Sequence, residues 1–130
     1  MISIEAQLSI FLDNRPGALA RTCQALAKEQ INILAMSISD TVDDAVVRLV
    51  VSDAKQAARI LQGLQIAAHE HQVILMDVPN TPGSLAKIAE QLTVAGINIE
   101  YAYCTGSPSQ PTGHLVLRTN DLEATINALS

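Results

Sequence analysis

The sequence is 130 residues long, 48% hydrophobic and 16% charged, which argues against disorder and for a packed core. A net charge of −5, one Phe, two Tyr and no Trp remove both the attraction for phosphate backbones and the stacking platforms, so nucleic acid is not an expected partner. No apolar run approaches the roughly 20 residues that span a bilayer, and the opening MISIEAQLSIFLDN has no basic stretch ahead of an apolar one. The expectation is a cytoplasmic protein with no membrane partner.

Along the chain, Leu8, Ile10 and Leu12 alternate with other residues at the period of a half-buried strand. The strand runs into N-R-P-G at positions 14 to 17. Here Asn14 can cap a starting helix, Pro16 has no N–H to lose, and Gly17 permits a tight turn. The spacing of Leu19, Cys23, Leu26 and Ala27 predicts a helix with one apolar face between Arg15 and Gln30. A second strand starts at Ile31, and the acidic turn DTVDD separates it from the β-branched run AVVRLVV. Asp53 then opens a second helix carrying Ala57, Ile60, Leu61 and Leu64 on one face, and a closing strand fits positions 65 to 70.

The pattern then repeats. Asn80 stands 66 residues after Asn14, and the offset holds without a gap over twenty residues, from NRPGALARTCQALAKEQINI to NTPGSLAKIAEQLTVAGINI. Ile74, Met76 and Val78 form the strand, Leu85, Ile88, Ala89 and Leu92 the helical face, and Ile97 begins the next strand. The following loop, TGSPSQPTG, is longer than its counterpart. HLVLRT and a helix from Asp121 complete the copy, and the sequence given stops at Ser130, where a closing strand would begin. Either the chain is truncated or another segment fills that edge. The predicted class is α+β: two ferredoxin-like βαββαβ domains, at 1–70 and 71–130, each with an antiparallel sheet and both helices on one face.

With Leu8, Ile10, Ile74 and Met76 facing the helices, Phe11, Ile33, Val73, Leu75 and Tyr101 are expected on the opposite face. Tyr101 and Tyr103 are expected to share a face with Ile99. Domains this small, with an unfilled sheet edge, predict a homodimer.

Strand, N-x-P-G-x-L, helix and I-N-I strand, matched twice, resemble the ACT domain family over nearly the whole chain. The first copy is also similar to the regulatory subunit of acetolactate synthase and to the serine-sensing domain of phosphoglycerate dehydrogenase. The resemblance implies a non-catalytic module that binds an amino acid or other small effector at loop or interface sites and modulates a partner enzyme or a transporter. In the serine-sensing relatives a histidine, the loop asparagine and the second-strand asparagine hold the ligand. Asn14 and Asn32, then Asn80 and Asn98, match the asparagines, while Leu12 and Val78 stand at the histidine positions.

The residues themselves also suggest a site, because a helix start presents unpaired amides and partial positive charge to a carboxylate. The candidate ligand-binding residues are Asn14, Gly17, Ala18, Leu19, Asn32 and Ile33, with Asn80, Gly83, Ser84, Leu85, Asn98 and Ile99. Alternatively, the asparagines only cap helices and turns, leaving a structural oligomerisation adaptor. No catalytic residue, metal or cofactor is expected. His69, His71 and His114 read as solvated, Asp40, Asp43 and Asp44 as a surface turn, Cys23 as core packing, and Cys104 as a reduced thiol at a strand end. An enzyme would need a nucleophile and base pair or a phosphate loop, and neither is visible.

Overall fold

The computed structural model describes residues 1–40 and 44–130. The elements run β1 (Ile2–Asp13), α1 (Ala18–Lys28), β2 (Ile33–Asp40), β3 (Asp44–Val51), α2 (Ala54–Gly63) and β4 (Ala68–Pro79). They continue with α3 (Ser84–Val94), β5 (Ile99–Thr105), β6 (Thr112–Thr119) and α4 (Leu122–Leu129). The chain divides into two units, Ala6–His71 and Gln72–Ser130, the second also including Met1–Glu5. Of the acidic turn read from the sequence, Asp43 lies outside the described residues.

In the first unit the strand order is β2-β3-β1-β4, the last contributing Ala68–His71. Leu8 lies opposite Leu49 and Ile10 opposite Val47, and these four side chains meet Leu26 of α1 and Ala57 and Leu61 of α2 in the core. Alternation on the strands and 3.6-residue spacing on the helices thus converge on one apolar layer. The closing strand starts at Ala68, later than the expected Gln65, because Gln65 has a φ of 63° and its amide bonds back to Gln62 to finish the α2 turn.

The second unit repeats this plan with β1-β4-β6-β5. Ile74 opposes Leu117 and Met76 opposes Leu115, under Ile88 and Leu92 of α3. The offset is 66 residues from α1 to α3 and 68 from β3 to β6, the two extra residues falling in the hairpin loop. Helix caps follow the repeat: Asp53 accepts from the Gln56 amide and Asp121 from the Ala124 amide.

The edge beyond β4, expected to be missing a strand, is filled in this unit by the first residues of β1. The Asp77 amide donates to the Met1 carbonyl at 3.0 Å, and Ile2 packs against the core of Ile74 and Leu117. The division therefore differs from 1–70 and 71–130 chiefly in residues 1–5, which belong with the second unit. With that edge filled, this unit needs no second chain to complete its sheet.

A bulge corrects the expected faces. Between Ile33 and Ala35 on β2, and again between Ile99 and Tyr101 on β5, the register slips by one residue. Ile33 therefore opposes Val51 on the helix side and packs against the first core, instead of joining Phe11 on the other face. Likewise Ile99 opposes Thr119, whose hydroxyl bonds Thr125 of α4, while Tyr101 and Tyr103 oppose Arg118 and Val116 on the far face.

Candidate functional site

The two N-x-P-G turns place glycine, not asparagine, at the start of each helix. Gly17 (φ 90°) and Gly83 (φ 89°) occupy the N-cap positions in a left-handed conformation, and neither helix receives a side-chain cap. The expected capping by Asn14 and Asn80 is therefore not made. A glycine with positive φ is the residue that turns the chain from strand to helix here, and the first-turn amides stay unclaimed by side chains.

The asparagines instead tie each turn to the neighbouring hairpin. Asn14 Nδ2 donates to Asp40 Oδ1 at 2.7 Å. Asn80 Nδ2 donates to the carbonyls of Ser107 (2.7 Å) and Gln110 (3.0 Å), and its backbone amide to Pro111 (2.9 Å). Both amide hydrogens of Asn80 are thereby used, and Oδ1 has no partner among the described residues.

Within one unit the two candidate asparagines do not meet. Asn14 touches Asp40 at the far end of β2, while Asn32 precedes the first residue of that strand. At about 3.3 Å per residue, eight residues of strand separate them by about 26 Å. Asn32 and Asn98 have local partners, their amides donating to Ser52 Oγ and Asn120 Oδ1. A single site inside one unit can use the loop asparagine or the strand asparagine, but not both.

What gathers around the second turn is a niche of about 150 Å3, lined in part by Asn80, Thr81, Ser84, Leu85, Cys104 and Gly113. Thr81 Oγ1 and Ser84 Oγ share one hydrogen bond of 2.9 Å. Beside it lies an apolar cleft of about 250 Å3 between α3 and β5, where Ile99, one of the candidate residues, joins Leu85. Thr81, Ala102, Cys104, Thr105, Gly106 and Gly113 were not singled out from sequence as site residues. The P-T-G that ends the hairpin loop was the available signal for the last of them.

The first unit is different. Its groove, about 330 Å3, opens between the end of β1, the start of α1 and the link from α2 to β4, with Asp13, Arg15, Ala18, Arg21 and Gln65 in its wall. Of the first-copy candidates only Ala18 lines it. Arg15 Nε donates to Asp13 Oδ2 at 3.2 Å. Elsewhere, His114 Nδ1 lies 2.9 Å from Asp77 Oδ1, while His69 and His71 are exposed. Cys23 is half-buried and Cys104 exposed, both unpaired. Among the described residues no group of three or more His, Cys, Asp or Glu could hold a metal, and no helix is long and apolar enough to cross a membrane.

The profile of the ACT domain pair matches residues 2–129. The chain belongs to the ACT domain pair family. A solved structure of a protein from Bacteroides thetaiotaomicron is 34% identical, covers 98% of this chain and 88% of its own, and superimposes with a TM-score of 0.90. The ligand-free regulatory subunit of aspartate kinase from Thermus thermophilus shares the fold at a TM-score of 0.72 and 19% identity, covering 98% of this ACT pair and 93% of its own chain. The aspartokinase of Corynebacterium glutamicum is 28% identical over 142 residues. That match takes in 96% of this chain, which spans only 33% of the curated relative.

Proposed function

We propose that this ACT domain pair is a non-catalytic regulatory module that binds an amino acid at the turn between β4 and α3 and modulates a partner enzyme. The observation that carries the reading is the second turn itself. A left-handed Gly83 starts α3 with no side-chain cap. The Ser84 amide turns back to the Thr81 carbonyl, which leaves the Leu85 and Ala86 amides without a side-chain cap, next to an Asn80 oxygen left without a partner among the described residues. Amides suit a carboxylate and a carbonyl oxygen suits an ammonium, the two charged groups that every amino acid carries.

The likeness to aspartokinase chains supports a partner in amino-acid synthesis, with the acetolactate synthase type of regulatory subunit as the other candidate. The first turn, Asn14 to Leu19, is the weaker site in this proposal. The side-chain amide of Asn14 is committed to Asp40, and the groove beside this turn is walled by Asp13 and Arg15.

A thermal-shift screen with the twenty amino acids tests the reading. A ligand at 100 times its Kd adds about 2.7 kcal/mol to the stability of the native state, a rise of several degrees for a unit this small. Gly83→Val is then expected to abolish the shift while Gly17→Val keeps most of it. A Cβ at either glycine meets nothing within 4 Å, so the fold carries mainly the backbone strain of the left-handed φ, about 1–2 kcal/mol, while at Gly83 the added bulk narrows the approach to the start of α3. Circular dichroism verifies folding. A folded Gly17→Val/Gly83→Val double variant that binds as tightly as the parent would falsify the assignment.

The homodimer also remains a proposal. Leu34 (45% exposed), Ile38 (48%) and Phe11 (55%) leave apolar surface on the first unit, which supports self-association. Sedimentation equilibrium at micromolar concentration is expected to show twice the 13.8 kDa chain mass, and a purely monomeric protein would contradict it.

A further inference from the structure

We infer that the effector is an amino acid with an aliphatic side chain, seated in the cleft between α3 and β5 of the second unit. The inference rests on the regulatory reading above. The cleft and the niche adjoin, with Leu85 and Cys104 in the walls of both. One end offers polar groups, namely the Asn80 oxygen and the Thr81–Ser84 hydroxyl pair, whose shared bond uses one hydrogen and leaves the other as a donor. The other end is walled by Leu85, Ile88 and Ala89 of α3 and by Ile99 and Ala102 of β5, over Leu115 and Leu117.

The lining decides the ligand class. It contains no Asp, Glu, Lys, Arg, Asn or Gln, with Tyr103 and Cys104 alone carrying polar side-chain atoms, so an ammonium or carboxylate carried into it would lose water and gain no charged or amide side chain. An alkyl chain there covers Leu85 and Ile99, which are 47% and 37% exposed without it.

The first unit supplies an internal comparison, because the repeat has the same register there. Met36 opposes Leu49 as Ala102 opposes Leu117, and Ile38 opposes Val47 as Cys104 opposes Leu115. At these two points the first copy carries large side chains and the second carries small ones. Space that Met36 and Ile38 take up in the first unit is open in the second. The groove beside the first turn is walled by Asp13 and Arg15.

The test exchanges those residues. Titration calorimetry on the full chain compares leucine, isoleucine, valine and methionine with alanine, serine, lysine and aspartate. An aliphatic ligand is expected to bind at least tenfold tighter than alanine, since each methylene in an apolar pocket discriminates by about 10-fold or more. Ala102→Met/Cys104→Ile, checked by circular dichroism, is expected to weaken it at least tenfold, and Ala102→Met alone, at a residue that lines the cleft and not the niche, is expected to weaken it as well. Tightest binding of serine, lysine or aspartate overturns the inference and leaves the regulatory reading standing. Heat from none of the amino acids overturns both. Undiminished aliphatic binding in the folded double variant also overturns the inference, and if that variant does not fold, the ranking on the parent chain decides.

Discussion

Gly113→Ala is expected to cost the second unit about 3 kcal/mol or more, at or beyond the upper end of ordinary overpacking. A Cβ built at Gly113 would sit 2.1 Å from the carbonyl oxygen of Thr105 and 3.2 Å from its carbon. Those atoms are backbone, so no side chain can swing away. β6 cannot retreat either, because Gly113 is paired on its other side with Val78 of β4. The mouth of the β5–β6 hairpin must therefore open. Both tyrosines lie on β5, so tyrosine fluorescence in a urea titration reports this unit directly. The same variant should disturb the candidate site, because the loop after Thr105 carries the carbonyls that hold Asn80. An unfolding midpoint equal to the parent's would show that the close approach is not structural.

Leu26→Ala and Leu92→Ala should each cost about 2–5 kcal/mol, the range for removing a buried leucine from a core that relaxes only partly. The two leucines occupy equivalent positions of α1 and α3 and are 0% and 1% exposed. At about 0.05–0.15 kcal/mol per residue, a unit of this size holds only a few kcal/mol to a little under 10. Either substitution thus removes much of its unit's reserve. Far-UV circular dichroism follows both variants, with tyrosine fluorescence following Leu92→Ala in addition. A loss below about 1 kcal/mol at either site would contradict the core assignment.

The parts of the fold written in local chemistry could be read from the sequence. Leu19, Leu26, Leu85 and Leu92 keep helical spacing, and N-x-P-G marks where each helix begins, so α1 and α3 fall inside their expected spans. The bulges were hidden. A one-residue slip leaves the alternation of letters almost unchanged, yet it carries Ile33 and Ile99 to the helix side and so parts Ile99 from Tyr101 and Tyr103, while Tyr101 keeps the far face expected for it. The closing strand of the second unit was missed because its residues lie at the other end of the chain. A signal existed in the length of the alternation, which runs through Ile2, Ile4, Ala6, Leu8, Ile10 and Leu12 and makes a strand of 12 residues, twice the common length. At the site, the turn glycines were legible from backbone chemistry. The commitment of Asn80 to Ser107 and Gln110 was not, since that pairing depends on how the loop between β5 and β6 folds back.

The strand segment that completes the second unit also sets an order of assembly. Ala6–His71 is contiguous, so its pairings can form as soon as that stretch of chain is available. The other unit needs Met1–Glu5 together with residues up to Ser130, and the bond from Asp77 to Met1 closes one of the longest loops in the molecule. Contacts so distant in sequence must overcome loop entropy before they are rewarded, which makes them slow to form. Of the second unit's residues, those made earliest are therefore used last. Until they dock, the free edge of β4 is exposed to pairing with another chain, so aggregation competes with folding at that step.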